Sequence, residues 1–293
     1  MLRLLSLLLM SFAATAATAR THASAFTSDR ISVEVHGAGR DVVLIPGLSS
    51  SPRVWDATIA AIPGYRYHVV HVSGFGGRPA GANASGPVLI PVAEEIARYI
   101  RAAHLARPAI VGHSMGGSWA MIVAGRHPEL AGRVMVVDML PFLGAMFGGP
   151  GATPDSIRPI AEQIRQGIAS SSGDARRHQI EQTIAGMVRT EAARPVVVAQ
   201  SLASDPAVSG QGMYDIIVSD LRPDLAAIHV PLTVLYVLPA GAPLTPEQID
   251  QFYRLSYAGA PQAVLKRILD SYHFIMFDQP DAFRRELRAF LSQ

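Results

Sequence analysis

The 293-residue chain contains no cysteine at all. That absence removes disulfides, thiolate metal sites and a cysteine nucleophile, so stability has to come from a packed core and any covalent chemistry from another side chain. Charge is scarce too, at 16% of residues, and no basic cluster is long enough to act as an electrostatic footprint for nucleic acid. Long apolar runs are missing: the stretch from Leu4 to Phe12 is too short to span a bilayer, so no stable membrane anchor is expected. There is no internal repeat and no P-loop, and Gly74-Phe75-Gly76-Gly77 lacks the spacing of a dinucleotide fingerprint. His68 and His71 lie three apart in a predicted strand and so face opposite sides, which argues against a metal pair. Neither a metal nor a cofactor is expected.

What the chain does have is apolar bulk, 49% hydrophobic residues, ample for one large core. The start reads as a secretion signal over residues 1–25: Arg3, the apolar run, then small residues ending in Ala17-Thr18-Ala19 or Ala23-Ser24-Ala25, either of which suits cleavage. Loss of that leader takes two of the 25 basic residues and none of the 23 acidic ones, so the formal charge falls from +2 to zero. The expectation is an exported protein, periplasmic or secreted after processing.

Beyond the leader, short apolar runs ending in Gly or Pro alternate with stretches of helical periodicity. Strands are predicted over Ile31 to Val35, Asp41 to Pro46, Tyr67 to Val72, Pro108 to Val111, Val134 to Val137, Leu232 to Val237 and Ala263 to Leu269. Helices are predicted over Arg53 to Ile62, Val92 to Leu105, from Trp119 onward, Pro246 to Leu255 and Pro280 to Leu291. This alternation predicts an α/β fold with a mostly parallel central sheet and helices on both faces. Residues 139–228 break the alternation with helical segments, one carrying Ile157, Ile160, Ile164 and Ile168, another Ile180, Ile184 and Val188, and read as a helical cap inserted between 26–138 and 229–293.

The chemistry centres on Gly112-His113-Ser114-Met115-Gly116, a G-x-S-x-G pattern with an apolar strand before it and a helix after it. A serine on so sharp a turn projects its hydroxyl, and Gly112 and Gly116 stand where side chains would collide with neighbouring backbone. A hydroxyl is a weak nucleophile until a base takes its proton, and His273, just past the last strand, has the expected late position. The oxyanion of acyl attack needs preplaced N–H donors, which the backbone of Met115 and Leu48 would supply.

From Arg40 to Gln293 the chain resembles the capped α/β-hydrolase superfamily. Leu44-Ile45-Pro46-Gly47-Leu48 with Trp55 resembles the oxyanion loop, Gly112 to Gly117 the nucleophile elbow and His273 to Pro280 the histidine loop. The resemblance implies a Ser, acid, His triad, with the acid commonly placed after the strand that follows the cap. Here that segment, Tyr236 to Ala242, has no carboxylate. Asp138, at the end of the strand after the nucleophile helix, is the favoured substitute, as in some members of the superfamily; Asp270 and Asp278 are fallbacks. Phe142, Met146 and Phe147 either line an acyl pocket or simply pack cap against body. The leading expectation is a serine hydrolase acting on a small-molecule acyl substrate, an ester or lactone of small or medium size, with amide or carbon–carbon bond hydrolysis open to the same apparatus. The rival is a ligand-binding protein on a hydrolase scaffold, favoured by the missing acid. Oligomeric state has no sequence signal.

Overall fold

The computed structural model describes residues 26–149, 151–238 and 240–293; the expected leader lies outside them. Seven strands form one sheet: β1 (Ile31–Gly37), β2 (Arg40–Ile45), β3 (Tyr65–Val72), β4 (Ala109–His113), β5 (Arg133–Val137), β6 (Leu232–Tyr236) and β7 (Val264–Arg267). Their spatial order is β1-β3-β2-β4-β5-β6-β7, with only β1 antiparallel to its neighbour.

The strands are apolar on both faces because both faces are covered. Val43 and Ile45 of β2 join one buried cluster while Val42 and Leu44 join the other. In β5, Val134 and Val136 are likewise separated from Met135 and Val137. This is the period-two side-chain alternation of a strand with a core on each side.

Helices α2 (Leu89–Ala102) and α3 (Met115–Arg126) cover the first face. The second is covered by α1 (Asp56–Ala61) together with the last helix of the chain, Pro280–Ser292, whose Phe283, Leu287, Phe290 and Leu291 form its apolar stripe. The predicted helix over Arg53 to Ile62 is in fact a 3₁₀ turn, Pro52–Trp55, running into α1, since Pro52 opens the turn and Ser51 caps it. Helix α2 begins three residues before the predicted Val92: Pro91 lies in its first turn, where a missing N–H costs nothing.

Between β5 and β6 the chain forms five helices: α4 (Ala145–Gly148), α5 (Pro154–Ala169), α6 (Gly173–Met187), α7 (Arg194–Ala203) and α8 (Pro206–Val218). The Ser/Gly stretch between α5 and α6 is a helix–helix turn. After β6 come α9 (Pro246–Ser256), opened by a Thr245–Gln248 capping box, then α10 (Ile275–Asp278) and α11 (Pro280–Ser292).

One carboxylate fastens the helical insertion to the body. Asp215 of α8 is 6% exposed, and its Oδ2 accepts the backbone N–H groups of Val88 at 2.6 Å and Leu89 at 3.0 Å. These are donors at the start of α2 that its own turn cannot satisfy, and the negative charge suits that end of the helix dipole. Asp215→Ala leaves both N–H groups buried without an acceptor. The expected loss is about 2–4 kcal/mol of unfolding free energy, checked by urea denaturation. A loss below about 0.5 kcal/mol would show that the tie contributes nothing net.

Candidate active site

Strand β4 ends at His113, and Ser114 takes φ 54° and ψ −128° before α3 begins at Met115. This left-handed backbone is strained for a side-chain-bearing residue, and the surrounding contacts hold it. A Cβ on Gly112 would lie 2.0 Å from the carbonyl oxygen of Gly116, and one on Gly116 would lie 2.2 Å from that of Ile45. Neither glycine can be replaced without moving backbone. Ser114 opens onto a cavity of about 400 Å³ between the sheet and the inserted helices, lined also by Gly47, Leu48, Asp138 and His273.

Asp138 follows β5, also in a left-handed conformation (φ 54°), and its Oδ2 lies 2.6 Å from His273 Nδ1. An ionised carboxylate only accepts, so Nδ1 carries the proton and the lone pair sits on Nε2. The other oxygen, Oδ1, accepts the backbone N–H of Val237 at 3.1 Å and the hydroxyl of Tyr253 at 3.3 Å. Val237 lies just past β6, in the segment that has no carboxylate of its own, and there the backbone orients the acid carried by the neighbouring strand. Burial, followed by the charge of Asp138, holds the Tyr253 hydroxyl well above its ordinary range, so it stays a donor. Sequence reasoning missed Tyr253; its contact joins α9 to β5 across 115 positions and leaves no local pattern.

The two fallback acids have other partners. Asp270 pairs with Arg189 at 3.2 Å. The carboxylate of Asp278 accepts three backbone N–H groups, from Tyr272 at 2.9 Å, Thr190 at 2.8 Å and Arg189 at 3.1 Å, while Phe274 N–H donates to Met187 O at 3.2 Å. The histidine loop is thereby fastened to the end of α6.

His113 is fully buried, and its ring packs 4.7 Å from that of His273 and 4.6 Å from Phe274. Its Nε2–H donates to the backbone carbonyl of His273 at 3.1 Å. The side chain next to the serine therefore supports the histidine loop from below.

The backbone N–H groups of Leu48 and Met115 have no acceptor among the described residues, and Leu48 borders the cavity beside Ser114. Of the three pocket candidates only Met146 lines the cavity. Phe142 is 1% exposed and belongs to a separate cluster with Ala145, Ile157 and Ile217, under the Arg222 guanidinium at 4.7 Å. Phe147 is 46% exposed and faces outward, because successive residues of α4 point about 100° apart. The wall is formed instead by Leu143, Met213 and Ile216 and by one face of α6. Among the described residues no cluster of histidine and acid side chains could hold a metal ion.

The profile of the family described as "Alpha/beta hydrolase family" matches residues 42–286. The chain belongs to the α/β-hydrolase family. Among curated proteins it is similar to a pimeloyl-[acyl-carrier protein] methyl ester esterase of Pectobacterium carotovorum, 28% identical over 266 residues that cover 88% of this chain and 96% of the relative. Among solved structures it resembles an esterase from Exiguobacterium antarcticum (TM-score 0.74, 19% identity, covering 90% of this chain and 96% of that one). It also resembles an enol-lactonase from Burkholderia xenovorans LB400 (TM-score 0.70, 19% identity, 90% and 96% covered). At those identities the two structures speak for the fold alone, and the fold is that of a hydrolase.

Buried imidazoles give this hydrolase an acid sensitivity. Burial, with a smaller contribution from His273, holds His113 well below the ordinary histidine value of 6.5, and burial also lowers His68 and His71. The unfolded chain takes up protons on these rings below pH 6.5 that the folded state refuses, so stability is complete above that pH and is lost as pH falls through it. Each refused proton costs about 1.4 kcal/mol per pH unit. The melting temperature should fall between about pH 7.5 and about pH 5.5, and fall less in His113→Gln. An equal fall in both proteins would show that His113 does not contribute.

Proposed function

We propose that this hydrolase cleaves a small or medium carboxylic ester or lactone through an acyl-enzyme on Ser114. The observation that carries the reading is the 2.6 Å contact between Asp138 Oδ2 and His273 Nδ1, with Ser114 opening onto the same cavity as both. Similarity to a methyl ester esterase over most of both chains points to the same bond type.

In this reading Ser114 Oγ attacks the ester carbonyl carbon while His273 Nε2 takes its proton. The carbonyl π electrons move to oxygen, and the oxyanion accepts from the N–H groups of Leu48 and Met115. Collapse expels the alcohol, which receives the proton from Nε2 and leaves the acyl group on Ser114. Water, deprotonated by the same nitrogen, attacks that acyl group, and the second collapse releases the acid and restores the serine. Asp138 keeps the imidazole in the tautomer with Nδ1–H and offsets the positive charge it acquires. The chemistry is all side-chain and backbone chemistry of this chain. The rival reading of a binding protein rested on the missing acid after Tyr236; with a carboxylate against Nδ1 that ground is gone.

A fluorophosphonate probe reads the activated hydroxyl directly. Wild-type protein should carry one adduct on the peptide containing Ser114, and Ser114→Ala should lose both the adduct and hydrolysis of a short aryl ester while keeping its melting temperature. A folded wild type that resists the probe, or a Ser114→Ala variant that keeps most of the activity, would overturn the assignment.

A further inference from the structure

One face of α6 forms a wall of the catalytic cavity through Arg176, Gln179, Ile180, Thr183, Ile184 and Met187, a spacing of three and four that keeps all six on one side of the helix. The wall changes character along its length. At its C-terminal end Met187 O accepts the N–H of Phe274, the residue after His273, so the apolar end adjoins the catalytic centre. Arg176 lies eleven residues away, about 16 Å along the helix axis.

Two formally charged side chains, Asp138 and Arg176, are among those that line the cavity. The carboxylate of Asp138 is spent on His273, Val237 and Tyr253. Arg176 has no carboxylate partner among the described residues, and only its Nη2 is engaged, on the carbonyl oxygens of Ser201 at 3.1 Å and Ser204 at 2.6 Å at the end of α7. Those two bonds fix the guanidinium in place and leave the Nε–H and Nη1–H donors without an acceptor from the protein, each able to give a charge-assisted hydrogen bond to an anion. Gln179 and Ser201 line the same part of the cavity and add further polar groups.

We propose that Arg176 is the specificity-determining residue of this hydrolase, recognising an anionic group at the far end of an acyl chain that lies along α6 from Ser114. The proposal rests on the ester-hydrolase reading and narrows it: the substrate is an ester whose acyl chain is apolar in its middle and negatively charged at its tip. At about 1.2 Å of extended chain per bond, that distance corresponds to an acyl chain of about thirteen bonds. A preformed, partly immobilised guanidinium loses little freedom on binding, which favours its use as an anchor.

The test compares two aryl esters of one chain length, one ending in a free carboxylate and the other in the neutral carboxamide, on wild type, Arg176→Met and Arg176→Lys. Wild type should favour the carboxylate at least about tenfold in kcat/KM, mainly through KM. Arg176→Met should erase that preference, bringing the ratio of the two kcat/KM values to about one, and Arg176→Lys, a point charge without the planar set of donors, should restore part of it. A wild type without preference, a preference that survives Arg176→Met, or an equal fall for both esters would overturn the proposal, the last because it marks Arg176 as no more than a clamp on α7. If neither ester is cleaved, the hydrolase reading fails by itself. Calorimetry of Ser114→Ala with the corresponding acid-amide then decides: binding lost on adding Arg176→Met supports the anionic subsite, and binding unaffected by it, or absent altogether, contradicts it.

Discussion

The ends of β2 and β4 and the first turn of α3 approach so closely that no side chain fits between them, and the arrangement of the site follows from that contact. The carbonyl oxygens of Gly116 and Ile45 occupy the space where side chains at 112 and 116 would begin, and a Cβ on Gly47 would meet Ser114 Cβ at 2.8 Å. Three glycines let the β2 loop lie against the elbow, which brings the Leu48 backbone close to Ser114. The cost is a strained Ser114, of the order of 1–3 kcal/mol, and the buried β4 and α3 around it supply far more than that.

The other half of the site depends on hydrogen bonds that converge on a loop rather than on close packing. Asp138 bonds Nδ1 of His273, His113 donates to the same residue's carbonyl, and Asp278 collects N–H groups from both the histidine loop and the end of α6. All of these except the Tyr272–Asp278 bond join segments far apart in sequence, so the geometry of His273 is set jointly by the sheet, the elbow and the inserted helices. The same fastening makes the wall carrying Arg176 continuous with the catalytic centre.

This division explains what could be read from sequence. The sheet was legible because its buried strands are short apolar runs punctuated by Gly and Pro, and the elbow because steric exclusion demands glycine at fixed offsets from Ser114. Pairing of Asp138 with His273 was reachable only through the absence of an acid after Tyr236 together with what the resemblance to the superfamily implies for an acid at that strand end. Tyr253, His113 and Asp278 were missed in their supporting roles, since a tyrosine on a helix or an aspartate at the end of a short helix has no local mark of a partner many positions away. Which of Phe142, Met146 and Phe147 meets the cavity was left open for a related reason: size and apolarity mark residues that need burial, but the turn at Gly144 and the short helix α4 decide which of them lines it. Helices α7 and α8, opened by Pro195 and Pro206, had no separate prediction, and neither does the mixed face of α6, whose polar residues point inward.

The central claim is that the acid of the catalytic set comes from the strand before the inserted helices, and Asp138→Asn tests it most directly. The amide preserves the volume and the contacts to Val237 and Tyr253 but favours the wrong imidazole tautomer and carries no counter-charge. With the fold intact by circular dichroism, kcat on a simple aryl ester should fall by orders of magnitude, near the roughly 10⁴-fold seen when the same change is made in a serine-protease triad. An Asp138→Asn variant as fast as wild type would contradict the account.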